Sequence, residues 1–163
     1  MQPLLDKFGR PMPPKRGDYY VPSITTDAIV FLPSNSPTPS KVLLITRGRY
    51  PYKDHLAFPG GFLEYNETPE EGCLRELEEE TGLKGTIHDL LTVSGEPLRD
   101  PRGHTVSVIY LVKVEEGVKP KGGDDAADAE FYEVEKVLKE KERFSFDHYE
   151  LLVKALERMK KIN

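Results

Sequence analysis

The sequence predicts an α/β fold in one domain, because short apolar, β-branched runs alternate with two segments of helical periodicity, each closed by Pro, Gly or a polar turn. Its 163 residues suit one core, since separate cores take on the order of 100 to 200 residues each. Hydrophobic residues at 37% and charged residues at 31% exclude disordered and fibrous classes. We expect a Pro-rich N-terminal segment over residues 1–22 and a single domain over residues 23–163.

The N-terminal segment carries Pro3, Pro11, Pro13 and Pro14 among Lys and Arg, which suits extended chain, packed or mobile, and not an apolar export signal. In residues 23–32, Ile24, Ala28, Ile29, Val30 and Phe31 read as a strand ending at Pro33. Residues 34–40, rich in Pro and Ser, make a loop. Residues 41–46 (KVLLIT) make a second strand, expected to pair with the first as a long-tipped hairpin. Residues 86–94, 105–114 and 129–134 supply further strands.

Between them lies the clearest local signal. Thr68 is an N-cap, Pro69 the first helical residue and Glu71 the partner that closes a capping box, with Gly82 as the stop. A second helix starts near Asp147 and carries Leu151, Leu152, Ala155, Leu156 and Met159 at helical spacing, a stripe that should cover one face of the sheet.

The net charge of −5 offers no general footprint for nucleic acid, which needs clustered Lys and Arg. No apolar run approaches the roughly 20 residues that span a bilayer. The single cysteine, Cys73, excludes an internal disulfide and a cysteine metal knuckle, and it fits a reducing cytoplasm. A small-molecule partner is therefore expected, with neither nucleic acid nor membrane.

On the first helix each residue turns by about 100°, so Glu76, Glu79 and Glu80 share one patch while Cys73, Leu74 and Leu77 face elsewhere. The three anions repel one another toward a helix end whose dipole also disfavours them. Taken alone they are as compatible with a solvated acidic face as with a cation site. A hard cation such as Mg²⁺ wants this kind of carboxylate cluster, together with substrate phosphates and waters. Upstream, Phe58-Pro59-Gly60-Gly61 brings side-chain-free backbone toward the helix, where a carbonyl or N–H can approach an ion or phosphate.

Gly61, Glu67, Arg75, Glu76, Leu77, Glu79, Glu80, Gly82 and Leu83 stand in the order Gly, five residues, Glu, seven residues, Arg-Glu-Leu-x-Glu-Glu-x-Gly-Leu. Position for position this resembles the box of the Nudix hydrolase family, without departure. The resemblance implies an α/β/α sandwich with a mixed β-sheet. It also implies Glu76, Glu79 and Glu80 as ligands of Mg²⁺ or Mn²⁺, helped by the Gly61 backbone, with Arg75 and Glu67 orienting the carboxylates. The implied reaction is attack of water on a phosphorus of a diphosphate. Many members of the family are homodimers, so dimerisation is carried along as an expectation.

The box does not name the substrate. Residues 94–110 (SGEPLRDPRGHTVSVIY) contain Arg-Asp-Pro-Arg-Gly-His before a strand, which resembles the loop of Nudix proteins that bind ADP-ribose. Arg99 and Arg102 are the candidate phosphate or ribose contacts, and Asp100 would fix an arginine. A tight Asp-Pro turn with solvated arginines explains the same residues. The candidate general base lies in residues 122–130 (GGDDAADAE), where Asp124, Asp125 and Asp128 compete and Asp125 is our choice; an acidic turn is the plain alternative. His104 and His148 read as packing or capping residues.

The expectation is metal-dependent hydrolysis of ADP-ribose to AMP and ribose 5-phosphate. The alternatives are hydrolysis of another nucleoside diphosphate derivative (a dinucleotide, NADH or a sugar nucleotide) and a non-catalytic ADP-ribose sensor. The intact box and the short stretch after Phe146 argue for hydrolysis.

Overall fold

The computed structural model describes residues 2–123 and 126–162. A two-stranded ribbon, β1 (Lys15–Arg16) and β2 (Tyr19–Tyr20), precedes the domain. The domain then runs through β3 (Ser23–Ile29), β4 (Phe31–Leu32), β5 (Lys41–Arg47), β6 (Leu56–Ala57), β7 (Gly60–Phe62) and α1 (Pro69–Thr81). It continues with β8 (Gly85–Ser94), β9 (Thr105–Val114), β10 (Ala126–Glu133), the short α2 (Val134–Val137) and α3 (His148–Ile162). One sheet has the order β7-β3-β9-β8, the other β10-β5-β4 with β6 beside β5. The β3–β9 pair is parallel and its neighbours are antiparallel, so the sheet is mixed, as expected.

Alternation along the strands explains the layers. Ala28, Val30, Leu43, Tyr110 and Val112 pack with Cys73 and Leu77 of α1. The intervening Ile29, Phe31, Val42, Leu44, Ile109 and Leu111 pack with Leu151, Leu152, Ala155 and Met159 of α3. Strand side chains point to opposite faces with a period of two, so both faces of these apolar runs are buried and a helix covers each. The result is the α/β/α sandwich.

The expected hairpin between the first two strands is corrected. β3 pairs with β9 from Ser23↔Thr105 to Ile29↔Leu111, whereas Phe31 and Leu32 alone pair with β5, at Val42 and Lys41. One unbroken apolar run thus passes from one sheet to the other at the fully buried Val30, whose carbonyl accepts from Leu43 N–H. Periodicity specifies which face a residue takes, not which strand it pairs with. The Gly60-Gly61 segment, expected to bring bare backbone toward the helix, does so as an edge strand antiparallel to β3, with Gly60 opposite Asp27 and Gly61 opposite Thr26. Glycine is required there, since a Cβ on Gly60 would lie 2.2 Å from Thr26 O.

The α1 caps are as predicted. Thr68 Oγ1 accepts from Glu71 N–H at 3.1 Å, Glu71 accepts from Thr68 N–H at 3.2 Å, and Gly82 turns left-handed at φ 73°. The N-terminal segment is mostly exposed and is tied to the domain through Arg10, which is buried, held by Asp6, and donates to the carbonyls of Pro97 and Asp100. Among the described residues no helix is long and apolar enough to cross a membrane.

Candidate active site

α1 is anchored by Cys73 and Leu77, and its other side carries the glutamates along a cleft of about 500 Å³. Its lining includes an acidic wall, Glu76 and Glu80 with Gly61, and a basic wall, Arg99, Asp100 and Arg102. Helix α1 and the loop that carries Arg99, Asp100 and Arg102, about twenty residues apart in sequence, therefore border a common space.

Arg75 organises the acidic wall. Its Nε and Nη2 donate to the two Glu67 oxygens at 2.9 and 2.6 Å, and Nη1 donates to Glu76 at 2.8 Å and Glu79 at 3.1 Å. One guanidinium thereby offsets the repulsion that the i, i+3, i+4 spacing creates. These hydrogen bonds hold the Glu67 carboxyl down at about 2, well below its ordinary range, and raise the Arg75 pKa in turn. Glu80 is only 5% exposed and accepts from Gly60 N–H at 3.1 Å, which ties the helix to β7. Glu79 does not line the cleft; its side chain is 41% exposed and accepts from Arg75.

The donor set suits a divalent cation. Among the described residues no three His, Cys, Asp or Glu side chains converge as a ready cage. Mg²⁺, however, is typically held by one or two carboxylates plus substrate phosphates and water. Glu76 and Glu80 both open onto the cleft. Gly61 makes room for the first of them: a Cβ there would lie 2.5 Å from Glu76 Cδ and 2.6 and 2.8 Å from its oxygens. A glycine backbone laid against a carboxylate leaves hard oxygen donors within reach of one ion.

The basic wall is built from distant segments. Asp100, 1% exposed, holds Arg102 through Nε and Nη2 and through the Arg102 N–H. Burial pushes the Asp100 carboxyl up, and Arg102 more than offsets it, leaving the pKa below its ordinary value. Arg99 is held instead by Asp147, through Nη2 at 2.6 Å and Nε at 3.1 Å. Burial disfavours the charged Arg99, and Asp147 reverses this, so the net shift is upward. Arg10 Nη1 donates to the carbonyls of Pro97 at 2.6 Å and Asp100 at 2.9 Å, bracing the loop from behind.

The structure adds residues that sequence reasoning missed. Arg47 and Arg49 line the cleft from the end of β5 and the loop after it, and burial followed by repulsion from Arg102 lowers the Arg47 pKa. Asp27 and His148, both buried, line it as well. A carboxylate inside the apolar run of β3 was a legible signal for Asp27; nothing in the sequence singles out Arg47. His148, read as a packing or capping residue, is 3% exposed at the start of α3, and burial lowers its pKa. His104 is exposed and stays with the plain reading. Asp124 and Asp125 lie outside the described residues. Asp128 is exposed on β10 and does not line the cleft. Next to that segment, Lys121 N–H donates to Thr81 O, and a Cβ on Gly123 would lie 2.5 Å from Glu79 O, so residues 121–123 run against the C-terminal end of α1.

Comparison with known proteins places these features in context. The NUDIX domain family model matches residues 24–154. An ADP-ribose pyrophosphatase of Methanocaldococcus jannaschii is 40% identical over 134 residues, covering 82% of this chain and 73% of that protein. The Nudix domain of Shewanella oneidensis NrtR, solved in complex with ADP-ribose, superposes with a TM-score of 0.76 at 26% identity, covering 89% of this chain and 93% of that one. A bifunctional NMN adenylyltransferase/ADP-ribose pyrophosphatase of Francisella tularensis, solved with AMP and a manganese ion, superposes with a TM-score of 0.73 at 28% identity; the match covers 87% of this chain and 43% of that one.

Proposed function

This chain belongs to the Nudix family of hydrolases, and from that premise we propose that it cleaves the pyrophosphate of ADP-ribose to AMP and ribose 5-phosphate, with Mg²⁺ or Mn²⁺. The observation that carries this reading is one cleft lined by Glu76 and Glu80 of the box together with Arg99 and Arg102. A diphosphate brings charge for the arginines and phosphoryl oxygens for a cation, so one bound molecule satisfies both walls.

Glu76, Glu79 and Glu80, with the Gly61 backbone, are the proposed metal donors. A divalent cation held there would neutralise charge on the phosphoryl oxygens and acidify water. Arg75 and Glu67 keep the carboxylates in place. Arg99 and Arg102 bind the phosphates or the terminal ribose, and Asp100 fixes Arg102. In the reaction, water oxygen bonds to one phosphorus, the bridging phosphorus–oxygen bond breaks, and the water proton passes to a base. Asp125 is the residue assigned to that role from sequence, on the segment whose beginning runs against the end of α1. The partner is a small molecule and the setting the cytoplasm, where the buried Cys73 stays reduced.

Incubation of the purified protein with ADP-ribose and either metal, with an EDTA control and chromatography of the products, tests this. Metal-dependent release of AMP supports it. No AMP, with turnover of NADH, a dinucleotide or a sugar nucleotide in the same panel, replaces the substrate, and tight ADP-ribose binding without turnover replaces hydrolysis by sensing.

A further inference from the structure

Residues 146–148 lead into α3, of which His148 is the first residue, and contact both the arginines and the Phe58–Gly61 segment of the cleft. Phe146 has φ 51°, a left-handed conformation rarely taken by a bulky side chain, which calls for a reason in its surroundings. Its ring lies 5.0 Å from the guanidinium carbon of Arg47, 5.7 Å from that of Arg102 and 6.0 Å from that of Arg99. These are cation–π distances, and the apolar plate keeps mutually repelling cations together. Asp147 then holds Arg99 by two hydrogen bonds and accepts a third from Ser94 Oγ.

His148 turns to the other wall. Its Nδ1 accepts from Phe58 N–H at 3.0 Å, so that nitrogen carries no proton and Nε2 does. Nε2 faces Asp27 Oδ1 at 4.0 Å. Asp27 is itself held by Ser107 Oγ and packs against Gly60, where a Cβ would lie 2.3 Å from Asp27 Oδ1. The His148 ring also stacks on Phe58, with centroids 5.0 Å apart and planes 25° apart. Phe58 begins the segment that sends Gly60 N–H to Glu80 and lays Gly61 against Glu76.

We propose that Phe146-Asp147-His148 is a positioning element that ties the arginine wall to the glycine strand: Asp147 sets Arg99 for substrate binding, and His148, as an acceptor at Nδ1, sets the height of Gly60-Gly61 beside the box glutamates. His148 transfers no proton in this scheme. It acts through Phe58, two residues ahead of Gly60, and the assignment of kinetic consequences rests on the hydrolase reading above.

The test separates binding from turnover. His148→Phe keeps the stacked ring and removes the acceptor. His148→Asn returns an acceptor near the Nδ1 position, and His148→Gln places one nearer the Nε2 position. His148→Phe should lower kcat by about tenfold or more at nearly unchanged KM, as small misplacements of reacting groups do. His148→Asn should restore most of kcat and His148→Gln should not. Asp147→Asn should raise KM several-fold and leave kcat close to the parent value. In the metal-free protein, amide ¹H–¹⁵N shifts of Phe58, Gly60 and Gly61 should move in His148→Phe and return in His148→Asn. If His148→Phe does not fold, the Asn and Gln pair decides. Wild-type kcat in His148→Gln, equal losses in Asn and Gln, or unmoved amides at Phe58, Gly60 and Gly61 would overturn the proposal. The amide shifts need no substrate, so they stand even if ADP-ribose proves to be the wrong diphosphate.

Discussion

The acidic wall of the cleft comes from one helix and the strand just before it, whereas the basic wall is assembled from residues as far apart in sequence as Arg10, Arg47, Arg102 and Asp147. On the first wall, like charges are forced together by helical spacing and relieved locally by Arg75 and Glu67. On the second, each arginine of the loop is offset by its own carboxylate, Asp100 for Arg102 and the distant Asp147 for Arg99. The first arrangement survives as long as the helix does. The second depends on the whole tertiary structure, so it should be the easier to perturb from a distance.

That contrast is most directly broken at Glu80. Glu80→Gln keeps an acceptor for Gly60 N–H and removes the charge, so kcat should fall by about 10² to 10⁴-fold with the melting temperature near the parent's. Turnover close to wild type, measured at saturating ADP-ribose, would remove the metal assignment from the acidic wall. Next in size is Gly61→Ala, whose new Cβ would displace the Glu76 carboxylate 2.5 Å away. Because the far end of a side chain can move, the fold should persist while kcat drops by about tenfold or more. A drop in thermal stability with unchanged kcat would make Gly61 a packing glycine.

The basic wall should respond in KM. Arg102→Ala is expected to raise KM about tenfold for ADP-ribose, and less for diphosphates lacking the terminal ribose, consistent with the loss of one charge-assisted contact of roughly 1.5 kcal/mol. Equal effects on all substrates would leave the loop without a role in specificity. Arg10→Ala, remote from any substrate contact, should raise KM by about threefold, because it strands the carbonyls of Pro97 and Asp100 that the loop relies on. An unchanged KM, read in the same assay, would make Arg10 purely structural.

The smallest effect concerns acid. Glu67 ionises near 2 in the folded protein against an ordinary 4.5, so its contribution to stability is fully present above 4.5 and is lost as pH falls toward 2. Urea unfolding of wild type and Glu67→Gln should differ modestly at pH 7, and the two midpoints should converge as pH approaches 2. A difference that grows on acidification would reverse the assignment.

Legible in the sequence alone were the α/β class, the extent of α1 with both its caps, and the placing of Glu76 and Glu80 on one side of it; Glu79, expected beside them, does not line the cleft. The legible features follow from short-range rules: a hydrogen bond between Thr68 and Glu71, a left-handed glycine at 82, and a fixed angle per residue. The sequence also marked Arg99, Asp100 and Arg102 as a group, but not which partner each would have, since Asp147 lies far along the chain from Arg99. Strand pairing was not legible: β3 leaves the expected hairpin to pair with β9, and Gly60-Gly61 forms an edge strand against Asp27. Folding alone brought Arg47, His148 and Arg10 to the cleft or its support. The physical reason is that a strand's periodicity says which side chains are buried and nothing of which strand lies alongside. Partners chosen across tens of residues are set by the packing of the whole core.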